Sequence, residues 1–462
     1  MLKWAITMLA AAVPVVAAAQ ARPDQQSFFA LYKELVETNT TASVGSCTQT
    51  ATQVAARLRA AGYPNADLTA FSVPDHPRDG GIVAILKGSD PGRKPLLLLA
   101  HLDVVEADAR DWTRDPFKLV EEGGYYYARG AADDKAMAAV WADTMIRLKA
   151  GKPPRRTIKL ALTCGEETTT AWNGAEYLAA KRRDLIQAGF ALNEGGGGRT
   201  EPDGKRQLLA VQVGEKAAQN YTLLATNPGG HSSVPRPDNA IYQLADAIKA
   251  VQAYDFPVRF TDTTRAFFAG TAPTLPPEIG AAVKTLLADP QDKAADAIVS
   301  RDPALHSTLR TTCVATLLAA GHAENALPQR ATANVNCRIF PGETVEAVRV
   351  RLQELAGPKV TVTANQPVRP VAVPPTLDPE VIGPMKAVAA KHFPGIPLLP
   401  IMSTGATDAV FVGGAGIPVY GAPGIFVDRD MGGIHGLNER IRVKSLYDGR
   451  DYLFDLVRAY AN

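Results

Sequence analysis

The sequence lacks several features that would assign the protein to a familiar class. Its 49 basic and 47 acidic residues nearly cancel, leaving a net charge of +2, so there is no basic excess of the kind that marks nucleic-acid-binding proteins. No CxxC pair is present, which argues against a cysteine zinc cluster. No GK[ST] follows the glycine run at 195–198, so we interpret this run as a flexible turn rather than a phosphate loop. Beyond residue 21, no apolar stretch is long enough to span a bilayer.

The first 21 residues, MLKWAITMLAAAVPVVAAAQA, have the pattern of an export signal. Lys3 precedes an apolar run, and small residues at Ala17–Ala19 and Ala21 suit cleavage. A transmembrane anchor is the alternative, but it needs about 20 apolar residues, and Pro14 interrupts this shorter run. We therefore expect a periplasmic or secreted protein with no membrane contact after cleavage.

Four cysteines remain, and an exported protein can form disulfides. The stretches TTCVATLLAAG and ATANVNCRIF predict two strands that fold back about residue 325, which places Cys313 roughly opposite Cys337. We expect two packed free thiols there, with a cross-strand disulfide as the alternative.

Short apolar runs alternate with helical patterns in the first half of the chain. The runs typical of buried strands are 95–101, 157–163 and 189–194, and the helical patterns are 26–37, 48–61, 134–150 and 171–179. This alternation predicts an α/β fold with a mainly parallel central sheet and helices on both faces. Such sheets bind ligands beyond the carboxyl ends of their strands.

The pattern changes after about residue 214. Strands and helices then follow in the order βαββαβ, which predicts a ferredoxin-like α+β domain with an extra proline-rich and helical segment at about 256–308. The α/β pattern returns after about residue 375. We predict a signal peptide at 1–21, a catalytic domain in two parts at 22–214 and 371–462, and an inserted domain at 215–370.

Acidic and imidazole side chains recur where the predicted strands of the first domain end. They are His101, Asp103, Asp133, Asp134, Glu166, Glu167 and Glu194, with His435 in a later glycine-rich loop. Singly, each has an ordinary structural explanation, such as capping a helix N-terminus. Together they would meet in one crevice, where so many carboxylates need cations. Histidine and carboxylate ligands suit zinc, with cobalt or manganese as alternatives, and favour a two-metal hydrolytic site.

Nine stretches of the sequence also resemble a known family. They are AHLDVV, RGAADDK, CGEE, NEGG, GGHSSVP, NALP, CRIFPGET, TGATDA and IHGLNER, in this order between about 100 and 440. In this respect the chain is similar to the di-zinc exopeptidases, which include aminoacylase, carnosine dipeptidase, glutamate carboxypeptidase and succinyl-diaminopimelate desuccinylase. The resemblance implies a zinc-exopeptidase catalytic domain, interrupted by a lid and dimerisation domain.

The resemblance also implies the metal ligands. His101 and Glu194 would bind one Zn²⁺, and Glu167 and His435 would bind the other. Asp133 would bridge the two ions.

Further roles follow from the same resemblance. Asp103 would orient His101 through a hydrogen bond, and Glu166 would be the general base for a metal-activated water. A cis peptide would join Asp133 to Asp134. His231 in the lid would stabilise the developing oxyanion, across the interface of a homodimer.

Five residues are candidates for binding substrate. Asn325 and Arg338 match family positions that hold a substrate carboxylate, and Arg369 is a rival for this role, since a guanidinium binds carboxylates well. Arg338 has an alternative role in a strand-to-strand ion pair. The TGATDA loop, with Gly405 and Thr407, would line the pocket.

The predicted function is therefore a secreted metallo-hydrolase. It would cleave the amide bond next to a C-terminal amino acid in dipeptides, short peptides or N-acyl amino acids. The carboxylate-binding arginines disfavour an aminopeptidase. The alternative from another class is a non-catalytic relic that binds metal or peptide.

Overall fold

The computed structural model describes residues 22–168 and 172–462. The predicted export signal at 1–21, and the first residue of the helix predicted at 171–179, lie outside the described residues. Within these ranges, no helix is both long enough and apolar enough to cross a bilayer.

Helices and strands alternate through most of the described chain. The helices are α1 (Pro23–Glu37), α2 (Cys47–Ala60), α3 (Lys135–Ala150), α4 (Gly174–Lys181), α5 (Arg183–Ile186), α6 (Ala240–Ala253), α7 (Asp262–Thr271), α8 (Pro277–Ala288), α9 (Lys293–Val299), α10 (Pro303–Thr308), α11 (Val345–Ala356), α12 (Pro379–His392), α13 (Ala409–Gly414) and α14 (Val443–Ala461). The strands are β1 (Leu68–Val73), β2 (His76–Leu86), β3 (Leu96–His101), β4 (Val120–Glu122), β5 (Tyr125–Tyr127), β6 (Ile158–Thr163), β7 (Phe190–Asn193), β8 (Gly197–Thr200), β9 (Arg206–Glu215), β10 (Ala217–Thr226), β11 (Gly230–His231), β12 (Thr312–Ala320), β13 (Ala326–Leu327), β14 (Arg330–Ile339), β15 (Val360–Ala364), β16 (Leu398–Ser403), β17 (Val419–Gly421), β18 (Phe426–Asp428) and β19 (Arg440–Arg442).

Ten of these strands form a mixed sheet, called the large sheet below. Its order is β1-β2-β6-β3-β7-β17-β9-β8-β18, and β16 pairs with β9. The centre is parallel, because β6, β3, β7 and β17 pair in parallel with their neighbours in this series. Every residue of β3, β6 and β7 is buried, as the continuous apolar runs predict for strands covered on both faces.

Helices cover both faces of the large sheet. Apolar residues of α1, α2, α3, α12 and α14 share one core cluster with the sheet, and those of α4, α5 and α13 share another. Trp141 of α3 also donates a hydrogen bond from its indole to the backbone oxygen of Leu99 in β3, at 3.1 Å. The predicted α/β fold with a mainly parallel core is confirmed.

Four antiparallel strands form a separate sheet, called the small sheet below. Its order is β12-β14-β10-β15, and with α6 and α11 it gives the predicted βαββαβ order of a ferredoxin-like unit. Its strands begin at Ala217 and end at Ala364, inside the predicted insertion. The exact domain limits remain a prediction.

The segment at 256–308 folds into α7–α10. Its apolar residues, including Phe268 and Leu286, form a core cluster of their own. Gly270 of α7 lies against Leu399 of β16, so the segment also reaches the large sheet.

All four cysteines form disulfides, which makes the expectation of free thiols wrong. Cys313 pairs with Cys337, as in the alternative, because the register of β12 against β14 places the two residues directly opposite each other. Cys47, at the start of α2, pairs with Cys164, which follows β6.

Candidate active site

The carboxyl ends of three parallel strands meet at one edge of the large sheet. His101 is the last residue of β3, Glu166 and Glu167 follow β6, and Glu194 follows β7. Because β3 pairs in parallel with both β6 and β7, these side chains converge in the position where sheets of this type bind ligands.

The imidazole of His101 is buried, and its two nitrogens face different partners. Nδ1 lies 3.0 Å from the backbone oxygen of Asp103 and 3.5 Å from the Asp103 carboxylate. Nε2 lies 3.2 Å from Oδ1 of Asp133 and 3.8 Å from Oε1 of Glu194. Asp103 is thus placed to orient the ring, with Nε2 directed at the acidic cluster.

Asp133 lies between the two histidines. Its Oδ1 faces His101, and its Oδ2 lies 3.2 Å from Nε2 of His435. The same nitrogen of His435 lies 2.9 Å from Oε2 of Glu167, whose backbone N–H donates to Asp103 at 2.9 Å. The peptide between Asp133 and Asp134 is cis.

Burial and mutual repulsion alter the proton affinity of this cluster. Burial, with the nearby charges of Asp408 and Glu167, raises the pKa of Glu166 well above its usual range. Burial and the Glu166 charge likewise raise the pKa of Glu194. Hydrogen bonds with Asp133 and Glu167 raise the pKa of His435 to about 10. Protons therefore offset the concentrated negative charge when no cation does so.

The donor groups of this cluster fit divalent metal ions. Ligand atoms of His101, Asp133 and Glu167 lie within 4.8 Å of one another, as do those of His101, Glu166 and Glu194. Oε1 of Glu194 is buried with no hydrogen-bond partner among the described residues, which is costly unless a cation contacts it. Imidazole and carboxylate ligands are those that zinc and related metals bind.

A cavity of about 420 Å³ adjoins the cluster and reaches the small sheet. Glu166, Glu167 and His435 line it, together with Arg338 of β14 and Arg369. The guanidinium of Arg338 forms no hydrogen bond or ion pair within the part of the chain that the structure describes, so the alternative of a strand-to-strand ion pair is not realised. The guanidinium of Arg369 lies 5.3 Å from the centre of the Phe411 ring.

The model of Peptidase family M20/M25/M40 matches residues 97–459. The chain belongs to this family. The resemblance to the exopeptidases is therefore confirmed, and the chain is a hydrolase of the metallopeptidase class rather than a non-catalytic relic.

Two curated relatives in the M20 family cover most of the chain. The human N-fatty-acyl-amino acid synthase/hydrolase PM20D1 is 28% identical over 412 residues, which are 86% of this chain and 80% of that protein. Mouse aminoacylase-1 is 26% identical over 391 residues, which are 83% and 84% of the two chains.

Solved M20 structures share the fold. A metallo-carboxypeptidase from Sulfolobus solfataricus, Sso-CP2, covers 96% of this chain and 100% of its own, with a TM-score of 0.72 and 20% identity. The dinuclear metal binding peptidase YXEP from Bacillus subtilis covers 95% and 98%, with a TM-score of 0.60 and 13% identity.

Three residues that the M20 resemblance singled out do not line the cavity. His231 is exposed in β11, which pairs with β13, and the N–H of Ser232 donates to the backbone oxygen of Asn325 at 3.0 Å. His231 and Asn325 are therefore neighbours, but neither lines the cavity. Gly405 does not line it either, whereas Thr407 from the same loop does.

Glu439 lies in the M20 stretch IHGLNER, but no pattern in the sequence predicted a role for it. Its buried carboxylate accepts hydrogen bonds from the N–H groups of Gly130, Ala132 and Asp133 at 2.8–3.0 Å, and from Arg129 at 2.9 Å. Glu439 thereby holds the turn that carries Asp133. The only signal in the sequence was an acidic side chain in the same short stretch as the predicted ligand His435.

Asp408, in the M20 stretch TGATDA, was also missed. Its carboxylate is buried and accepts hydrogen bonds from Thr163 at 2.8 Å and from Asn173 at 2.7 Å. Asn173 also donates to the backbone oxygen of Gly165 at 3.1 Å. Asp408 thus connects the loop before α13 to both ends of the segment that carries Glu166 and Glu167.

Proposed function

We propose that this protein is an exported di-zinc hydrolase that cleaves the amide bond next to a C-terminal amino acid. Its substrates would be N-acyl amino acids, dipeptides or short peptides. The observation that carries the proposal is the shared cavity, in which two arginines face Glu166, Glu167 and His435. The relatives named as N-fatty-acyl-amino acid hydrolase and aminoacylase support this substrate class.

In this proposal, His101 and Glu194 would hold one Zn²⁺, Glu167 and His435 would hold the other, and Asp133 would contribute its carboxylate to both sites. When bound, the two ions polarise the carbonyl group of the amide and lower the pKa of the attacking water. Asp103 keeps Nε2 of His101 directed at the site, since it occupies Nδ1.

Glu166 moves the proton during the reaction. It takes a proton from the attacking water as the oxygen adds to the amide carbon, and it transfers that proton to the leaving nitrogen as the C–N bond breaks. The products are a carboxylate and a free amino group. Arg338 and Arg369 hold the carboxylate of the substrate's C-terminal residue, which positions the amide next to Glu166.

The most direct test compares substrates with and without a C-terminal carboxylate. We would assay the zinc- or cobalt-loaded full chain on N-acetyl amino acids and dipeptides, and on the same compounds with a C-terminal amide. We expect hydrolysis of the free acids, and rates lower by about tenfold or more for the amides, because a charge-assisted hydrogen bond is lost. Equal rates would contradict the arginine assignment, and no hydrolysis of any free acid would contradict the proposed function.

We also propose a homodimer formed through the small sheet, in which His231 acts on the partner's site. β12 is an edge strand of this sheet, and its apolar side chains Val314, Leu317 and Leu318 are 62–71% exposed. Exposed edge strands of this kind readily pair with another chain. His231 itself is exposed and lies away from the cavity of its own chain.

Mixing two inactive variants tests the dimer. Glu166→Gln and His231→Ala chains, unfolded and refolded together in equal amounts, would form mixed dimers in which one of the two sites is intact. We expect about a quarter of wild-type activity to return, since about half of the dimers are mixed. The dimer would be contradicted if wild-type chains regain activity on refolding but the mixture of variants does not. A monomeric mass in solution would contradict it as well.

Export is supported by the two disulfides, since these bonds persist in oxidising compartments. Fractionation of expressing cells tests this proposal, with the cytoplasmic fraction as the contradicting location.

A further inference from the structure

A second cavity, of about 390 Å³, borders the same segment as the first. The two cavities share Gly165, Glu167 and Thr168 as lining residues. The arginines lie only along the first cavity. If they hold the carboxylate of the substrate, as in the proposed function on which this inference rests, the other half of the substrate must extend away from them.

Hydrogen bonds hold the wall of the second cavity in place. It comes from the loop between α1 and α2 and from the residues after β3. Thr40 donates to the backbone oxygen of Leu102 at 2.7 Å, and Thr41 bridges to Val104. The N–H and hydroxyl of Ser43 donate to Glu106 at 3.0 and 2.8 Å. These bonds hold the loop in place beside Glu167.

The chemistry of this wall differs from that of the first cavity. Ala42, Val104, Val105 and the Cys47–Cys164 disulfide give it an apolar surface. Among the described residues that line it there is no lysine, arginine or histidine, whereas Asp79 and Glu106 add negative charge. An uncharged chain can bury its methylene groups here, and an anionic group would meet the like charges of Asp79 and Glu106.

We propose that the second cavity receives the acyl half of an N-acyl amino acid and selects uncharged, apolar acyl groups over anionic ones. Val105 and Glu106 both line the cavity, so the first would contact an apolar chain and the second would repel a negative charge. The first cavity determines the amino acid, and the second determines the acyl group.

The test measures kcat/KM of the metal-loaded enzyme for N-acetyl, N-octanoyl and N-succinyl derivatives of one amino acid. Val105→Trp fills the cavity, so we expect the octanoyl/acetyl ratio to fall by about tenfold or more, as the loss of even one buried methylene contact can cost that much. Val44→Trp is the matched control: Val44 lies on the same loop, is 71% exposed and does not line the cavity, so the ratio should not change.

Glu106→Gln tests the charge while keeping an acceptor for Ser43. We expect the succinyl/octanoyl ratio to rise by roughly fivefold, the effect of one partly exposed charge. Ala42→Phe, at an exposed position that also lines the cavity, replaces Val105→Trp if that variant does not fold. Ratios that stay at the wild-type value in folded variants would overturn the acyl cavity alone. A wild-type enzyme that cleaves none of the three derivatives but does cleave dipeptides would also overturn the acyl cavity alone, whereas one that cleaves no dipeptide either would overturn the proposed function.

Discussion

The large sheet and the small sheet face the same cavity with opposite charges and with different support. On the large-sheet side, the acidic and imidazole groups are buried and in contact with one another, as Asp133 is with His101 and His435. On the small-sheet side, the guanidinium of Arg338 forms no hydrogen bond or ion pair with another described residue. Groups that neighbours hold in place suit the reaction itself, whereas a charge without a partner is free to bind a substrate. We infer that the reaction and the recognition of the substrate carboxylate are divided between the two sheets.

The largest expected effect comes from the large-sheet side, which carries the proposed general base. Glu166→Gln keeps the shape of the side chain but cannot take a proton, so kcat should fall by about 10²–10⁴-fold, the usual contribution of a general base. Metal content, measured by atomic absorption, should stay at the wild-type value. Glu176→Gln, an exposed glutamate in the nearby α4, is the control. A Glu166→Gln enzyme with wild-type kcat would show that Glu166 is not the general base.

A second prediction concerns Glu439, which holds the turn that carries Asp133 on the large-sheet side. Glu439→Ala removes a buried acceptor that three backbone N–H groups and Arg129 share. Loss of one partner of a buried ion pair costs roughly 3–5 kcal/mol of the free energy of unfolding, and the turn that carries Asp133 should loosen. Chemical denaturation measures the first effect, and zinc titration measures the second.

Glu439→Gln provides the comparison for this variant. It keeps one acceptor oxygen for the backbone, so its loss should be smaller. Equal stability of the wild type and Glu439→Ala would mean that the large-sheet side does not depend on this support.

The third prediction addresses recognition. Arg338→Ala removes a charge-assisted contact with the substrate carboxylate, worth about 1.5–3 kcal/mol, so kcat/KM should fall roughly 10- to 150-fold for free acids. Substrates with a C-terminal amide should be much less affected. Arg330→Ala, an exposed arginine on the same strand, should behave as the wild type. A fall of equal size for acids and amides would assign Arg338 to folding rather than to recognition.

The two sides also differ in how far the sequence predicted them. Buried runs such as 157–163 indicate strands without any tertiary information, and the polar residues that follow them indicate the site. Partners such as Arg129 and Glu439, 310 residues apart, depend on the path of the chain through space, which no local pattern encodes. The same holds for Cys47 and Cys164. His231 and Asn325 lie together and away from the cavity because β11 pairs with β13, a contact that local patterns do not encode.

The smallest expected effect is the difference in stability between variants that lack one or the other disulfide. Cys47–Cys164 lies on the large-sheet side, and Cys313–Cys337 lies in the small sheet. Cys47–Cys164 closes a separation of 117 residues and Cys313–Cys337 one of 24. The chain-entropy relation gives about 4.9 and about 3.5 kcal/mol for the two. Replacing the first pair by serine should therefore lower the free energy of unfolding by about 1.4 kcal/mol more than replacing the second. Denaturant unfolding of the two double variants measures this difference.

Turnover adds an independent readout to the same pair of variants. Cys164 is followed directly by Gly165 and Glu166, so loss of its disulfide frees one end of the segment that carries the proposed base, and kcat should fall. Cys313–Cys337 fastens an edge strand of the small sheet, far along the chain from this segment, so its loss should change stability with little change in kcat. If both variants lose kcat equally, the division of the reaction and carboxylate recognition between the two sheets is wrong, because a change on the small-sheet side would then disturb the reaction itself.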